Sequence, residues 1–241
     1  MRILVFQHLD VEHPGIFRDF WHAKGHSWDV VELDLGEPIP DFTGYDMLAV
    51  MGGPMDVWQE DLHPWLTAEK AAIRRWVCEL GRPYLGICLG HQLLAAALGG
   101  RVGMMAKPEV GIANVHLTEA GAVDPVVGGL PRSFETLQWH GAEVQALPEG
   151  AVVLASNEAC AVQAFRWGAY AYGFQFHTEV TSETIPLWRM IPEYRASLEQ
   201  ALGTHRAAEL DSRVALKLTE FERAARHLDD RFAEIAAMMA T

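Results

Sequence analysis

Short, unbroken apolar runs alternate with segments of helical period over roughly the first hundred residues. Residues 3–6, Ile-Leu-Val-Phe, have no polar interruption, as expected of a strand covered on both faces. Residues 16–24 read as the helix that follows. Residues 30–33 and 47–51 read as the second and third strands, the latter ending at Gly52-Gly53-Pro54. Residues 66–80 are rich in alanine and carry Ile73, Trp76, Val77 and Leu80 at helical spacing. Past Arg82-Pro83, residues 84–87 form another apolar run. Residues 93–98 are helical up to Gly99-Gly100, a pair suited to a C-cap. This β-α-β-α rhythm predicts an α/β fold: a flavodoxin-like, doubly wound, mostly parallel sheet with helices on both faces.

The pattern then changes. Residues 112–117, 152–155, 161–165 and 171–176 are short strand candidates separated by turn-like pieces with Gly, Pro or Asn. They predict an antiparallel extension of the sheet. From about Thr181 the chain turns helical, so the organisation expected is a main domain over 1–180 and a helical extension over 181–241. Within the extension, Val214, Leu218, Phe221, Ala225, Leu228, Phe232, Ile235 and Met239 alternate steps of four and three. That is a seam of about three and a half heptads, with Asp211 or Ser212 as its N-cap. Such a seam either packs on its own domain or joins two copies into a homodimer, and the spacing leaves both open.

Composition narrows the classes. The 241 residues are 50% apolar and carry a formal net charge of −13. No basic excess exists to neutralise phosphates, so no nucleic-acid partner is expected, and anionic lipid would repel the surface. No run approaches the roughly 18 apolar residues of a membrane-spanning helix, and the N-terminus has no signal-peptide pattern. Three cysteines make no disulfide framework, and a reducing cytoplasm is the expected compartment. His22 and His26 share helical spacing but lack a third ligand, so neither a metal nor a cofactor is expected.

Gly86-Ile87-Cys88-Leu89-Gly90 places a cysteine at the centre of a Gly-x-nucleophile-x-Gly spacing, between a predicted strand and a predicted helix. The glycines suit a strained turn where neighbouring chains approach closely, and the first amides of the helix favour a thiolate. Cys78 and Cys160 lack such a setting. A thiolate needs a base, and the base an orienting acceptor. In Phe174-Gln175-Phe176-His177-Thr178-Glu179, His177 ends an apolar run, and Glu179, two positions on, falls on the same side of an extended chain. A backbone N–H of Gly52-Gly53-Pro54, paired with that of Leu89, would meet a developing oxyanion.

These residues resemble the class-I, triad-type glutamine amidotransferase family. The likeness extends through Gly86-Ile87-Cys88-Leu89-Gly90-His91-Gln92, Gly52-Gly53-Pro54, Gln138-Trp139-His140-Gly141 and Phe174-Gln175-Phe176-His177-Thr178-Glu179, over about residues 45–180 and in the family's order. Gly52-Gly53-Pro54-Met55-Asp56-Val57-Trp58 and the acidic stretch to Pro64-Trp65-Leu66 are most similar to stand-alone, GMP-synthase-like members. The resemblance implies that Cys88 attacks a γ-carboxamide to form a γ-glutamyl thioester. His177 would serve as acid and then base, oriented by Glu179. The amides of Gly53 and Leu89 would bind the oxyanion. The Gln92 side chain and the backbone of Trp139 and Gly141 would contact the glutamine, with Gly52 and His140 in the same binding patches. Thr178 stands where the family usually has proline, and Trp139 where synthetase-linked members often have a small polar residue. No Gly-x-x-x-x-Gly-Lys-Ser/Thr phosphate loop occurs in the chain. The released ammonia would therefore pass to a separate synthase subunit or to no acceptor at all. The second case describes a γ-glutamyl peptidase or γ-glutamyl-amide hydrolase, and a third reading is a non-catalytic binding protein on the same fold.

Overall fold

A computed structural model describes residues 1–239, so the last two positions of the 181–241 segment lie outside it. Its strands form one nine-stranded sheet in the order β2-β1-β3-β4-β9-β8-β7-β5-β6. Five are parallel: β1 (Arg2–Gln7), β2 (Ser27–Glu32), β3 (Met47–Val50), β4 (Tyr84–Ile87) and β9 (Ala171–Phe174). The others are antiparallel: β5 (Arg101–Leu117), β6 (Ser133–Ala146), β7 (Ala151–Ser156) and β8 (Ala164–Trp167).

The unbroken apolar runs have a physical reason, because alternate residues of β1 enter two different cores. Ile3 and Val5 meet Phe17, Phe20 and Trp21 of α1 (Phe17–Ala23). Leu4 and Phe6 share the opposite core with Leu66 and Ile73 of α2 (Trp65–Arg74) and Leu93 of α3 (Leu89–Ala97). Helix α2 runs on into a π-helical turn, Arg75–Glu79, that buries Trp76 and Val77.

Four sequence expectations need correction. Residues 171–176, expected in the antiparallel extension, instead supply β9, which lies parallel to β4 and returns the chain to the main sheet. Strand β5 starts at Arg101 rather than near 112, and β6 had no counterpart in the pattern. Residues 136–140 of β6, Thr-Leu-Gln-Trp-His, are buried on both faces, with Thr136, Gln138 and His140 on one and Leu137 and Trp139 on the other, so polar residues stand where a covered strand would be expected to be apolar. Pro108 and its neighbours sit in a register irregularity of β5, between Met104 and Glu109, which breaks the strand signal. The N-cap expected at Asp211 or Ser212 is absent, since α6 (Pro192–Ala215) runs through both positions and Asp211 pairs with Arg189 at 3.1 Å.

After α4 (Glu119–Ala122) and α5 (Thr184–Trp188), the seam residues divide between two helices. Val214 belongs to α6, and the rest to α7 (Leu218–Met239). Ala225, Leu228, Phe232 and Ile235 enter the same core as α1 and β1. Trp21 donates to Asp229 of α7 at 2.9 Å, which ties this helix to α1. Among the described residues, no helix is long and apolar enough to cross a membrane.

Candidate active site

Strand β4 ends at Ile87 and α3 begins at Leu89, so Cys88 alone turns the chain. It does so at φ 52° and ψ −102°, the one positive φ outside glycine among the described residues. Such a conformation costs on the order of 1–3 kcal/mol and persists only where its surroundings enforce it. The Cys88 N–H donates to the Phe174 carbonyl of β9 at 2.8 Å, and its carbonyl accepts from Gln92 at 3.1 Å. A Cβ on Gly86 would lie 2.6 Å from the Gly90 carbonyl, and one on Gly90 would strike the Val50 carbonyl of β3. The two flanking glycines are therefore demanded by space. The thiol sits at the carboxyl edge of the parallel strands, at the N-terminus of α3.

Past β9, the chain brings His177 against β6. Its N–H donates to the Leu137 carbonyl at 2.9 Å, and its carbonyl accepts from Leu137 at 3.3 Å. His177 Nδ1 stands 2.6 Å from Glu179 Oε1, and Cys88 lies near enough to act on the charge of the ring. The indole of Trp188 meets the imidazole edge-on at 4.9 Å. Burial pulls the His177 pKa down, but the adjacent Glu179 carboxylate and Cys88 outweigh it and raise it well above the ordinary imidazole range. The surroundings thus favour the protonated ring over the neutral one. Glu179 is itself fixed through its carbonyl, which accepts from Ile16 at 2.8 Å. Thr178, between the two, is buried as well.

A cavity of about 280 Å³ opens beside the thiol, walled by Gly53, Leu89, Gln92, Trp139, His140 and Gly141 among others. The N–H groups of Gly53 and Leu89 find no acceptor among the described residues. Gln92 directs its amide nitrogen to the Ala142 carbonyl at 3.2 Å and to Gln175 Oε1 at 3.0 Å. The Trp139 carbonyl lies 4.0 Å from Cys88 Sγ, and its indole donates to Ser197 Oγ at 2.9 Å. His140 borders the cavity, yet both ring nitrogens are engaged elsewhere. Nδ1 contacts the Ala142 carbonyl at 3.0 Å, and Nε2 contacts Gln138 Oε1 at 3.1 Å. Gly52 stands outside the wall, its carbonyl turned to His8 at 2.8 Å.

The family model described as glutamine amidotransferase class-I matches residues 20–186. The chain belongs to the class-I glutamine amidotransferase family. It is 30% identical over 188 residues to the glutamine amidotransferase-like protein YfeJ of Salmonella typhimurium, across 77% of this chain and 78% of that protein. It is 37% identical over 145 residues to a subunit of the glutamine-hydrolysing GMP synthase of Sulfurisphaera tokodaii, across 60% of this chain and 72% of the relative. A crystal structure of a glutamine amidotransferase from Thermotoga maritima superposes with a TM-score of 0.87 at 28% identity, covering 97% of this chain and 98% of the other. One from Methylobacillus flagellatus gives 0.86 at 28%, covering 97% and 94%.

Several residues of this amidotransferase site had no counterpart in the sequence pattern. Glu193, Tyr194 and Ser197 of α6 close one side of the cavity, beyond the reach of the family motifs. The Tyr194 hydroxyl donates to the buried carboxyl of Glu12, and a Cβ on Gly52 would strike Glu12 Oε2. His8 and Glu69 form a second buried pair, 2.9 Å apart. One signal for His8 and Glu12 existed: both follow β1 at the carboxyl edge of the sheet, where open α/β folds gather their ligands. Nothing local marks Tyr194 or Glu69.

Proposed function

We propose that the protein hydrolyses the γ-carboxamide of glutamine through a thioester on Cys88. The reading rests on one observation above the rest: a strained Cys88 is held against His177, which Glu179 orients, at the edge of a cavity presenting two unengaged N–H groups. With its proton on His177, Cys88 attacks the γ-carbonyl carbon as the thiolate. The Gly53 and Leu89 N–H groups receive the oxyanion. His177 gives its proton to the amide nitrogen, the C–N bond breaks, and ammonia leaves. His177 then takes a proton from water, which attacks the thioester carbonyl. The C–S bond breaks, glutamate departs and the thiolate is restored. The cavity wall at Gln92, Trp139 and Gly141 holds the glutamyl end, with His140 braced behind it.

The order β2-β1-β3-β4-β9 supports a flavodoxin-like, doubly wound arrangement, and the free thiol supports work in a reducing cytoplasm. Likeness to the GMP synthase relative supports transfer of the ammonia to a separate synthase subunit. A second reading is a γ-glutamyl-amide or γ-glutamyl-peptide hydrolase. It is favoured by the wall that the chain's own Trp139 and Glu193 build around the cavity, where a larger leaving amine would sit. Purified protein is expected to release glutamate and ammonia from glutamine with no other protein present. Turnover of γ-glutamyl amines or peptides together with inertness toward glutamine would overturn the first reading in favour of the second.

A further inference from the structure

Behind the Gly52–Gly53 peptide lies a buried pair to which the hydrolysis assigns no step. His8 and Glu69 are both fully enclosed. His8 Nδ1 is 2.8 Å from the Gly52 carbonyl oxygen, and His8 Nε2 is 2.9 Å from Glu69 Oε1. A carbonyl oxygen only accepts, so Nδ1 carries a hydrogen and donates it. The ring is held flat against Trp65, centroids 5.4 Å apart and planes 17° off parallel. Glu69 and Trp65 both belong to α2, so one helix grips the imidazole by its face and by its far nitrogen.

The bond joining Gly52 to Gly53 is trans, as are all the peptide bonds described. In a planar trans peptide the C=O and the N–H point to opposite sides, so fixing one direction fixes the other. The N–H of this peptide is that of Gly53, which borders the cavity beside Cys88 and meets no acceptor among the described residues. Two consecutive glycines give the loop almost no stiffness of its own, and the peptide would otherwise rotate at little cost. We propose that His8, anchored by Glu69, is a positioning residue that locks the Gly52–Gly53 peptide with its N–H aimed at the oxyanion. This rests on the reading of Gly53 as an oxyanion donor. Burial acts to lower the His8 pKa, but Glu69, the Gly52 carbonyl and Glu12 raise it above the ordinary imidazole value.

Two substitutions separate the two halves of the relay. An asparagine amide reaches about where Nδ1 sits, so His8→Asn keeps a donor for Gly52 and abandons Glu69. A glutamine amide reaches toward Nε2, so His8→Gln keeps Glu69 and abandons Gly52. Turnover of glutamine and of γ-glutamyl-p-nitroanilide passes through an oxyanion, whereas alkylation of Cys88 by iodoacetamide does not. His8→Gln is expected to lower kcat about 10- to 100-fold, with KM and the alkylation rate unchanged. His8→Asn is expected to recover most of that loss. Parallel loss of alkylation and turnover, or an asparagine variant no better than the glutamine one, would overturn the proposal. Should neither variant fold, the ¹⁵N shifts of the His8 ring in the wild-type protein decide the matter: the relay requires a protonated Nδ1, and a bare Nδ1 overturns it. A wild-type protein inert toward both substrates removes the hydrolase reading and this proposal with it. An active wild type whose His8 variants behave alike removes the proposal only.

Discussion

A carboxyl group moved from water to the space between Gly52 and Tyr194 loses its hydration, and burial accordingly raises the Glu12 pKa. The nearby His177 and the Tyr194 hydroxyl oppose that shift, Glu179 adds to it, and the balance stays upward. The folded protein thus binds this proton more tightly than the unfolded chain, whose carboxyl titrates near 4.5. The stabilisation from the bound proton is complete below that value and is lost as pH rises through the folded one. Glu12→Gln keeps an acceptor for Tyr194 and removes the titration. Relative to wild type it is expected to gain stability as pH is raised from about 4 to about 8, with melting midpoints as the measure. A constant difference would show that Glu12 is buried with no preference for its proton. Pairs of this kind escape sequence reading because their partners are remote, Tyr194 lying 182 positions from Glu12. Cys88, His177 and Glu179 were legible for the opposite reason. A nucleophile on a strand-to-helix turn requires glycines at fixed spacing, and an orienting carboxylate two positions from its histidine stays on the same side.

Helix α7 shows what a heptad seam can mean in a single chain. Phe232 and Leu228 enter the core with Trp21 and Tyr172, whereas Leu216, just before the helix, is 82% exposed. Phe232→Ala is expected to cost about 3–5 kcal/mol and Leu216→Ala within about 0.5 kcal/mol, both read by chemical denaturation. The Phe232→Ala loss is expected to be independent of protein concentration. A concentration-dependent midpoint would place the seam at a contact between copies instead. The parallel strands β1, β3 and β4 could be found from their unbroken apolar runs, since cover on both faces leaves no room for polar residues, whereas 171–176, expected in the antiparallel extension, forms β9 parallel to β4. Strand β6 could not. Thr136, Gln138 and His140 occupy one of its two buried faces, where Gln138 and His140 bond to one another and on to Gln163 and Glu109, and only the tertiary structure satisfies them.

The sheet as a whole divides the labour of the site. Its parallel half delivers Cys88 at the carboxyl edge, just beyond β4 and beside β9. The antiparallel half supplies the Trp139–Gly141 wall, and the helical extension closes the cavity with Glu193 and Tyr194. That third contribution explains why the motifs marked the residues that gather around Cys88 but not the shape of the pocket. The three free cysteines make the reactive centre directly testable: Cys78 is exposed, whereas Cys160 is buried with its thiol pushed up to about 12 by desolvation. A glutamine analogue carrying an electrophile in place of the γ-carboxamide, followed by peptide mass spectrometry, examines nucleophile and pocket together. A single adduct on Cys88 is expected, blocked by excess glutamine and absent from Cys88→Ser. Labelling of Cys78 or Cys160 with Cys88 untouched, or full turnover retained by Cys88→Ser, would contradict it.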